Sequence, residues 1–166
     1  VTTLTCVVFW RILAGDSPMY ADHTNHFYQG WVMAERLLPT GRLSGWVTTR
    51  GAGYPAGVVY PIGANLLIAF VRYLTFGLLS WDRVYAIAFL IAILACNLSA
   101  YAAARLVFGR VAGVFAGIFA VIDVGAYRQA GHVFAVRYGV WPVCLSAALA
   151  VVAVVLMLLF IHWSHH

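Results

Sequence analysis

Long apolar runs alternate with two polar insertions along the 166 residues of this chain. Residues 84–107 and 138–162 each supply the roughly 20 mostly apolar residues that a membrane-spanning helix needs. Residues 61–79 and 111–122 are apolar but interrupted or short, and residues 1–14 look like the last part of a further span. The pattern predicts an all-α integral membrane protein with about four to five transmembrane or partly spanning helices.

The first polar insertion, residues 15–61, predicts an amphipathic helix followed by a loop. Ser17 and Pro18 are typical of a helix start, and the helical pattern continues over residues 17–38. Such a helix, with one polar and one apolar face, is expected to lie in a membrane interface. Its polar face carries Asp22, His26, Gln29 and Arg36. The glycine- and proline-rich residues 43–60 predict a tight, ordered loop rather than regular structure.

The second polar insertion, residues 123–137, bears on how the chain crosses the membrane. Its Arg128 and His132 are spaced to share one helical face. The positive-inside tendency predicts that the arginine-containing turn of residues 105–110 is cytoplasmic. A partial or re-entrant segment at residues 61–79 reconciles that turn with an external location of both polar insertions.

Composition supports the membrane prediction and narrows the partners. Only 9% of residues are charged, against roughly a quarter in soluble domains, and the mean hydropathy is +0.91. All ten basic residues are arginines, and the net charge of +5 is typical of loops that face anionic lipid headgroups. Membrane lipids are therefore the expected partners, and nucleic acid is excluded. The bacterial inner (plasma) membrane is the predicted location.

Several polar side chains in the insertions are candidates for ligand binding, each with a structural alternative. Asp22, His23 and His26 could hold a divalent metal, or they could form a hydrated polar face. Arginine forks bind phosphate, but arginines also anchor chains at interfaces; the candidates are Arg50, Arg128 and Arg137. Aromatic rings could stack on a sugar or belong to an aromatic belt; these are Trp46, Tyr54 and Tyr60.

The order of motifs resembles the amino-terminal part of GT-C-type polytopic membrane glycosyltransferases. Gly15-Asp16 follows an apolar helix, and Gly53-Tyr54-Pro55 and Tyr60-Pro61 lead into the next apolar segment. The nearest likeness is to the YfhO-like and 6-pyruvoyl-tetrahydropterin synthase-related membrane protein group. The turn at Ala103-Ala104-Arg105-Leu106 is similar too, so the resemblance covers residues 14 to about 149.

The resemblance implies glycosyl transfer from a sugar on a polyprenyl phosphate. Asp16 takes the place of the family's carboxylate in the first external loop, which acts as general base or helps to hold a metal. The alternative is that Asp16 caps the following helix. The catalytic candidates are Asp16 and Asp22, and the substrate-binding candidates are His26, Arg50, Tyr54, Tyr60, Arg128, His132 and Arg137.

The chain also departs from the family pattern. Many relatives have a glutamate shortly before the span that begins here near Tyr138, whereas this chain has Arg137. Relatives also run to several hundred residues, so residues 1–166 are interpreted as one membrane domain, a fragment or a reduced relative of a larger protein. The alternative function is a non-catalytic membrane subunit packed against other membrane subunits. A small transporter would need polar residues in mid-helix, and only Arg72, Asn97 and Ser99 qualify.

Overall fold

The fold is a helical bundle with one small β-hairpin. It is described by a computed structural model, which covers residues 1–16, 18–49, 51–58, 60–123 and 131–164. Eight α-helices follow one another in this part of the chain: α1 (Thr2–Val8), α2 (Trp10–Leu13), α3 (Asp22–Val32), α4 (Ile62–Leu74), α5 (Trp81–Phe108), α6 (Arg110–Ile122), α7 (His132–Tyr138) and α8 (Trp141–Ser164). After α3 come a π-helix (Met33–Leu37), a 3₁₀ turn (Leu38–Thr40) and the strands β1 (Gly45–Val47) and β2 (Tyr54–Ala56).

Two helices in the described part of the chain, α5 and α8, are long and apolar enough to cross a membrane. The 13 residues of α4 and the 13 of α6 each extend only about 20 Å. A bilayer's hydrocarbon core is about 30 Å thick, so the described residues do not support four to five spans. The length of α4 agrees with the prediction that residues 61–79 cross the membrane only in part.

α5 lies at the centre of the bundle, where it contacts α1, α2, α4, α6 and α8. The glycines of α6 allow a close approach to α5. A Cβ at Gly113 would lie 2.7 Å from Cβ of Arg105, and one at Gly117 would lie 3.2 Å from Cβ of Tyr101. The small residues of α6 therefore bring its backbone directly against α5.

α3 and its π-helical continuation run parallel to α4. Three contacts advance together along both segments: Asn25 Nδ2 donates to the Tyr60 hydroxyl at 2.9 Å, a Cβ at Gly30 would lie 2.6 Å from the Ile68 side chain, and the Tyr73 hydroxyl donates to the Ala34 carbonyl at 2.5 Å. The bare α-carbon of Gly30 thus lets the two helices come together at their midpoints.

The face of α3 that the sequence predicts to be hydrated is partly buried. His26 and Gln29 are each 4% exposed, whereas Asp22 and Arg36 are exposed. The helix also begins at Asp22, later than the predicted start at Ser17. Because α3 packs against α4 and His26 contacts Trp141, the prediction of a water-facing polar side is wrong for His26 and Gln29.

The predicted loop of residues 43–60 contains a two-stranded antiparallel sheet, so the all-α prediction is incomplete. Its register pairs Gly45 with Ala56, Trp46 with Pro55 and Val47 with Tyr54. Gly53 enters β2 with a φ of +89°, and a Cβ there would collide with the Trp46 indole. Only glycine suits both the left-handed backbone and the close approach, which explains the first residue of the Gly-Tyr-Pro motif.

Two hydrophobic clusters hold these elements together. The larger cluster surrounds α5 and is rich in aromatic side chains, among them Phe9, Tyr85, Phe89 and Trp141. The smaller cluster joins the end of α3 and the π-helix to the hairpin through Val32, Met33, Leu37, Val47 and Ala56. The hairpin therefore has a core of its own, built largely on the first polar insertion.

Candidate functional site

A buried chain of hydrogen bonds joins four helices at His23. His23 Nε2 lies 2.7 Å from the Val136 carbonyl, which can only accept, so Nε2 carries a proton. In the neutral ring Nδ1 is then an acceptor, and the Tyr85 hydroxyl donates to it at 2.7 Å. The Tyr85 oxygen accepts from Trp141 Nε1 at 2.8 Å. Burial lowers the pKa of His23, against the raising effect of the Val136 bond, which keeps the ring neutral.

The metal site considered at Asp22, His23 and His26 is not formed by the described residues. Both ring nitrogens of His23 are engaged in the hydrogen bonds described above. Asp22 is exposed while His26 is buried, so the three side chains do not face one space. Among the described residues no three metal-ligating side chains lie together. A metal ligated by His23 would have to displace a buried hydrogen bond.

His26 lies beside this chain in an aromatic pocket. Its ring centroid is 5.3 Å from that of Tyr60 and 5.8 Å from that of Trp141, both in edge-to-face arrangements. Its Nδ1 is buried and has no hydrogen-bond partner among the described residues. Burial lowers the pKa of His26 to about 4, against the raising effect of the nearby Asp22 charge. His26 is therefore a neutral, interior histidine at pH 7.

Acidification should destabilise the fold through His26. Its pKa is about 4 in the folded chain and 6.5 without the fold. Below pH 6.5 the His26 ring takes up a proton in the unfolded chain but stays neutral in the folded chain. The contribution of neutral His26 to the free energy of unfolding is therefore complete above pH 6.5 and is lost as the pH falls towards 4. The loss at the acid end is about 3 kcal/mol. Thermal unfolding of the detergent-solubilised protein between about pH 7.5 and about pH 4.5 measures it.

The matched variant is His26→Leu, which removes the titrating ring and keeps an apolar side chain. The pKa of His23 is also lowered and that residue is unchanged, so the difference between the two pH profiles reports on His26. We expect a shallower acid decline in the variant. Identical declines would contradict the assignment.

The two predicted tyrosines lie in different surroundings. Tyr60 accepts a hydrogen bond from Asn25 and contacts His26 edge to face. Tyr54 lies in β2, half-buried, with its ring centroid 6.1 Å from that of Tyr28. The structure thus brings His26 and Tyr60 together and keeps Tyr54 with the hairpin.

Three further predicted residues fall on parts of the chain without a description. Arg50 and Arg128 lie outside the described residues, and so does the side chain of His132, whose backbone begins α7. Their predicted roles in substrate binding stay predictions.

Arg137 lines a cavity between α2 and α7, which we call the α2–α7 cavity, and Asp16 is connected to it through Arg11. Asp16 Oδ2 lies 3.2 Å from Arg11 Nε, and both side chains are more than half exposed. Arg11 and Arg137 line this cavity of about 340 Å³, and its remaining walls are Val8, Phe9, Trp10, Ile12 and Val136. The cavity thus combines apolar walls with two guanidinium groups, one of which is paired with a carboxylate.

The sequence interpretation did not include Arg11, because it falls in the apolar run before the first insertion. Its only signal is its position five residues before Asp16. Asp22 occupies the first turn of α3, where a negative charge stabilises a helix. The helix-end interpretation considered for Asp16 therefore applies to Asp22 instead.

A second polar concavity lies between the π-helix and β1, and we call it the hairpin cleft. It has a volume of about 320 Å³, and its polar and aromatic walls are Trp31, Arg36, Thr40, Arg42, Trp46, Thr48 and Thr49. Of these only Trp46 was a candidate from sequence. Arg36 lies in the π-helix, and Arg42 lies between the 3₁₀ turn and β1. The sequence pattern does not show that these two residues line one cleft.

Comparisons with known proteins do not identify a family for this chain. No protein-family model, no curated protein and no solved structure matches this chain. The likeness to GT-C glycosyltransferases therefore stays a prediction that rests on the motifs of the first insertion.

Proposed function

We propose that this chain belongs to a GT-C-like membrane glycosyltransferase that uses a sugar linked to a polyprenyl phosphate. The observation that carries the proposal is the α2–α7 cavity, where Arg11 and Arg137 line apolar walls and Asp16 pairs with Arg11. An isoprenoid phosphate offers the matching chemistry, because it joins a long apolar chain to an anion.

The proposal requires a membrane location, and the surfaces of α5 and α8 favour one. The apolar stretch of α8 has a mean hydropathy of 3.0 and only 6% of it is buried. Its outward side chains include Leu156 and Phe160, which are 60% and 74% exposed. Apolar surface costs about 25 cal/mol per Å² in water, so lipid or other helices are the natural surroundings of α8. We infer an integral protein of the bacterial inner membrane.

Arginine suits the phosphate end of such a donor. Its planar fork binds phosphate oxygens bidentately, and its charge persists at every physiological pH. A phosphate that binds Arg11 competes with the Asp16 carboxylate for the same guanidinium group. Donor binding would thus release Asp16 from its ion pair at the moment when a base is needed.

In the proposed reaction an acceptor hydroxyl attacks the anomeric carbon of the donor sugar. The bond between that carbon and the phosphate oxygen breaks, and the polyprenyl phosphate leaves with the electron pair. Asp16 accepts the proton of the attacking hydroxyl, and Arg11 and Arg137 stabilise the charge on the leaving phosphate. Asp22 is a second carboxylate candidate at the start of α3.

The test is sugar transfer to membrane acceptors by the full-length protein with Asp16→Asn. General base catalysis is worth about 10²–10⁴ in rate, so transfer should fall at least about 100-fold. Arg137→Gln should instead weaken binding of a polyprenyl phosphate by about tenfold. Radiolabelled sugar incorporation and binding in lipid nanodiscs measure the two effects separately.

The matched controls are Asp82→Asn and Arg110→Gln, which make the same charge changes at the starts of α5 and α6. They should retain transfer and binding. Unchanged transfer by Asp16→Asn would remove Asp16 from catalysis, and equal weakening by Arg110→Gln would reduce the cavity to a general charge effect.

A second candidate function is a non-catalytic membrane subunit, and the bare surface of α8 favours it. The most apolar stretch of α8, of which 6% is buried, offers a long face to neighbouring helices. Stoichiometric copurification with a larger membrane assembly, without binding of a polyprenyl phosphate, would establish this alternative over the enzyme.

A further inference from the structure

We propose that the hairpin cleft is a separate binding site for a phosphorylated sugar. It lies between the π-helix, which carries Arg36, and the strand that carries Trp46. It shares no lining residue with the α2–α7 cavity. Its walls combine cationic, aromatic and hydroxyl groups, which are the three kinds of group that a sugar phosphate engages.

The cleft carries positive charge that no carboxylate in the described part of the chain neutralises. All five acidic residues of the chain lie in its described part, and neither Arg36 nor Arg42 forms an ion pair with a described residue. Glu35, next in sequence to Arg36, pairs instead with Arg72, with Oε1 3.6 Å from Nε. Two guanidinium groups that line one cleft, without a counter-charge among the described residues, favour a dianion such as a phosphate monoester.

The aromatic side chains of the cleft are held in place rather than left to insert into lipid. The Arg36 guanidinium lies 5.6 Å from the ring centroid of Trp31, which orients the cation. Trp46 is 65% exposed, yet its indole rests on the bare α-carbon of Gly53. A fixed, exposed indole beside an oriented cation offers a flat apolar surface for the face of a sugar ring.

Threonine hydroxyls complete the polar wall. Thr40 donates to the Leu37 carbonyl at 2.8 Å, which leaves its oxygen free to accept. Thr49 is bonded to Tyr28, and Thr48 has no hydrogen-bond partner among the described residues. A volume of about 320 Å³ is at the small end of ligand sites, so the cleft suits one sugar ring with its phosphate.

The π-helix connects this geometry to the rest of the fold. Such helices are rare and occur frequently at functional sites, and here Met33–Leu37 turns Arg36 towards the hairpin while Leu37 stays buried beneath Gly45. From His23 to Arg36 the helix advances about 20 Å. The hairpin cleft and the α2–α7 cavity, which His23 borders through Val136, therefore lie near opposite ends of one helical segment.

The experiment is calorimetric titration of the full chain in phosphatidylcholine nanodiscs. The probes are glucose 1-phosphate, inorganic phosphate, glucose, and glucose on a short polyprenyl phosphate. We expect glucose 1-phosphate to bind at least about tenfold more tightly than inorganic phosphate, and glucose to bind weakest. Arg36→Gln and Arg42→Gln should each weaken that binding about tenfold, and Gly53→Ala should weaken it by displacing the Trp46 indole.

Arg110→Gln is the control for charge and should bind the probes as the unchanged protein does. Both cleft arginines are exposed, so thermal unfolding should be unchanged in their glutamine variants. Preference for the polyprenyl-linked probe, lost in the same variants, would support the site and identify a lipid headgroup as the source. Equal binding of phosphate and glucose 1-phosphate, equal weakening by Arg110→Gln, or no binding would overturn the proposal. Because Asp16 and Arg137 lie outside the cleft, failure here leaves the transfer assay unaffected.

Discussion

Gly139→Ala should lower the midpoint of thermal unfolding by about 5–15 °C. Gly139 ends α7 with φ +77°, and a Cβ there would lie 2.8 Å from the Asp22 carbonyl carbon and 3.1 Å from His23 Cδ2. It would also collide with the His23 backbone nitrogen. Left-handed strain adds about 1–2 kcal/mol and overpacking about 1–3 kcal/mol. Backbone atoms cannot yield without disturbing the hydrogen bonds of His23.

Gly41→Ala is the matched control. Gly41 has nearly the same left-handed conformation, with φ 71° and ψ 19° against 77° and 16° at Gly139, but a Cβ there would meet nothing within 4 Å. It should show the strain alone, and the difference between the variants measures the packing at the start of α3. Equal decreases in the unfolding midpoint of the two variants would mean that Gly139 is not tightly packed against the start of α3.

Tyr85→Phe should destabilise the protein by about 2–5 kcal/mol although it removes a single oxygen. The hydroxyl is the middle member of the buried chain, so its loss strands both His23 Nδ1 and Trp141 Nε1. Each buried polar group without a partner costs about 1–3 kcal/mol. The aromatic packing against Trp141, at a centroid distance of 5.9 Å, remains available to phenylalanine. Thermal unfolding in detergent measures the change.

Tyr101→Phe makes the same chemical change at a site where the hydrogen bond is exposed. The Tyr101 hydroxyl accepts only an exposed bond from Arg105 at 3.0 Å, so its removal should cost less than about 0.5 kcal/mol. A Tyr85→Phe variant as stable as Tyr101→Phe would show that the buried chain contributes little.

The parts of the fold that depend on local pattern were predictable. The runs at residues 84–107 and 138–162 correspond to α5 and α8 because an apolar stretch of that length has few other solutions. The count of four to five spans is not supported by the described residues, because Ile62–Leu74 is too short to cross fully. Residue counts in an apolar run do not reveal where a helix ends.

What depends on distant contacts was not predictable from the pattern. His26 has the spacing of a surface residue, and its burial follows from Trp141, which lies far along the chain. The hairpin was hidden because Pro55 and Gly53 are typical of loops, yet Pro55 sits opposite Trp46 in a short edge pairing. Of the candidate site, Asp16 and Arg137 were found from motif and charge, whereas Arg11 needed the fold to join them.

The hydrogen bond between His23 and Val136 spans 113 residues, and this separation has a consequence for biosynthesis. At about 5–20 residues per second, a ribosome needs roughly 6–23 s to pass from one partner to the other. Until Val136 is made, His23 Nε2 has no carbonyl acceptor, and until Trp141 is made, the Tyr85 hydroxyl has no indole donor. Helices α7 and α8 supply these two partners. The buried hydrogen bonds of the first insertion are therefore complete only after α7 and α8 have been synthesised.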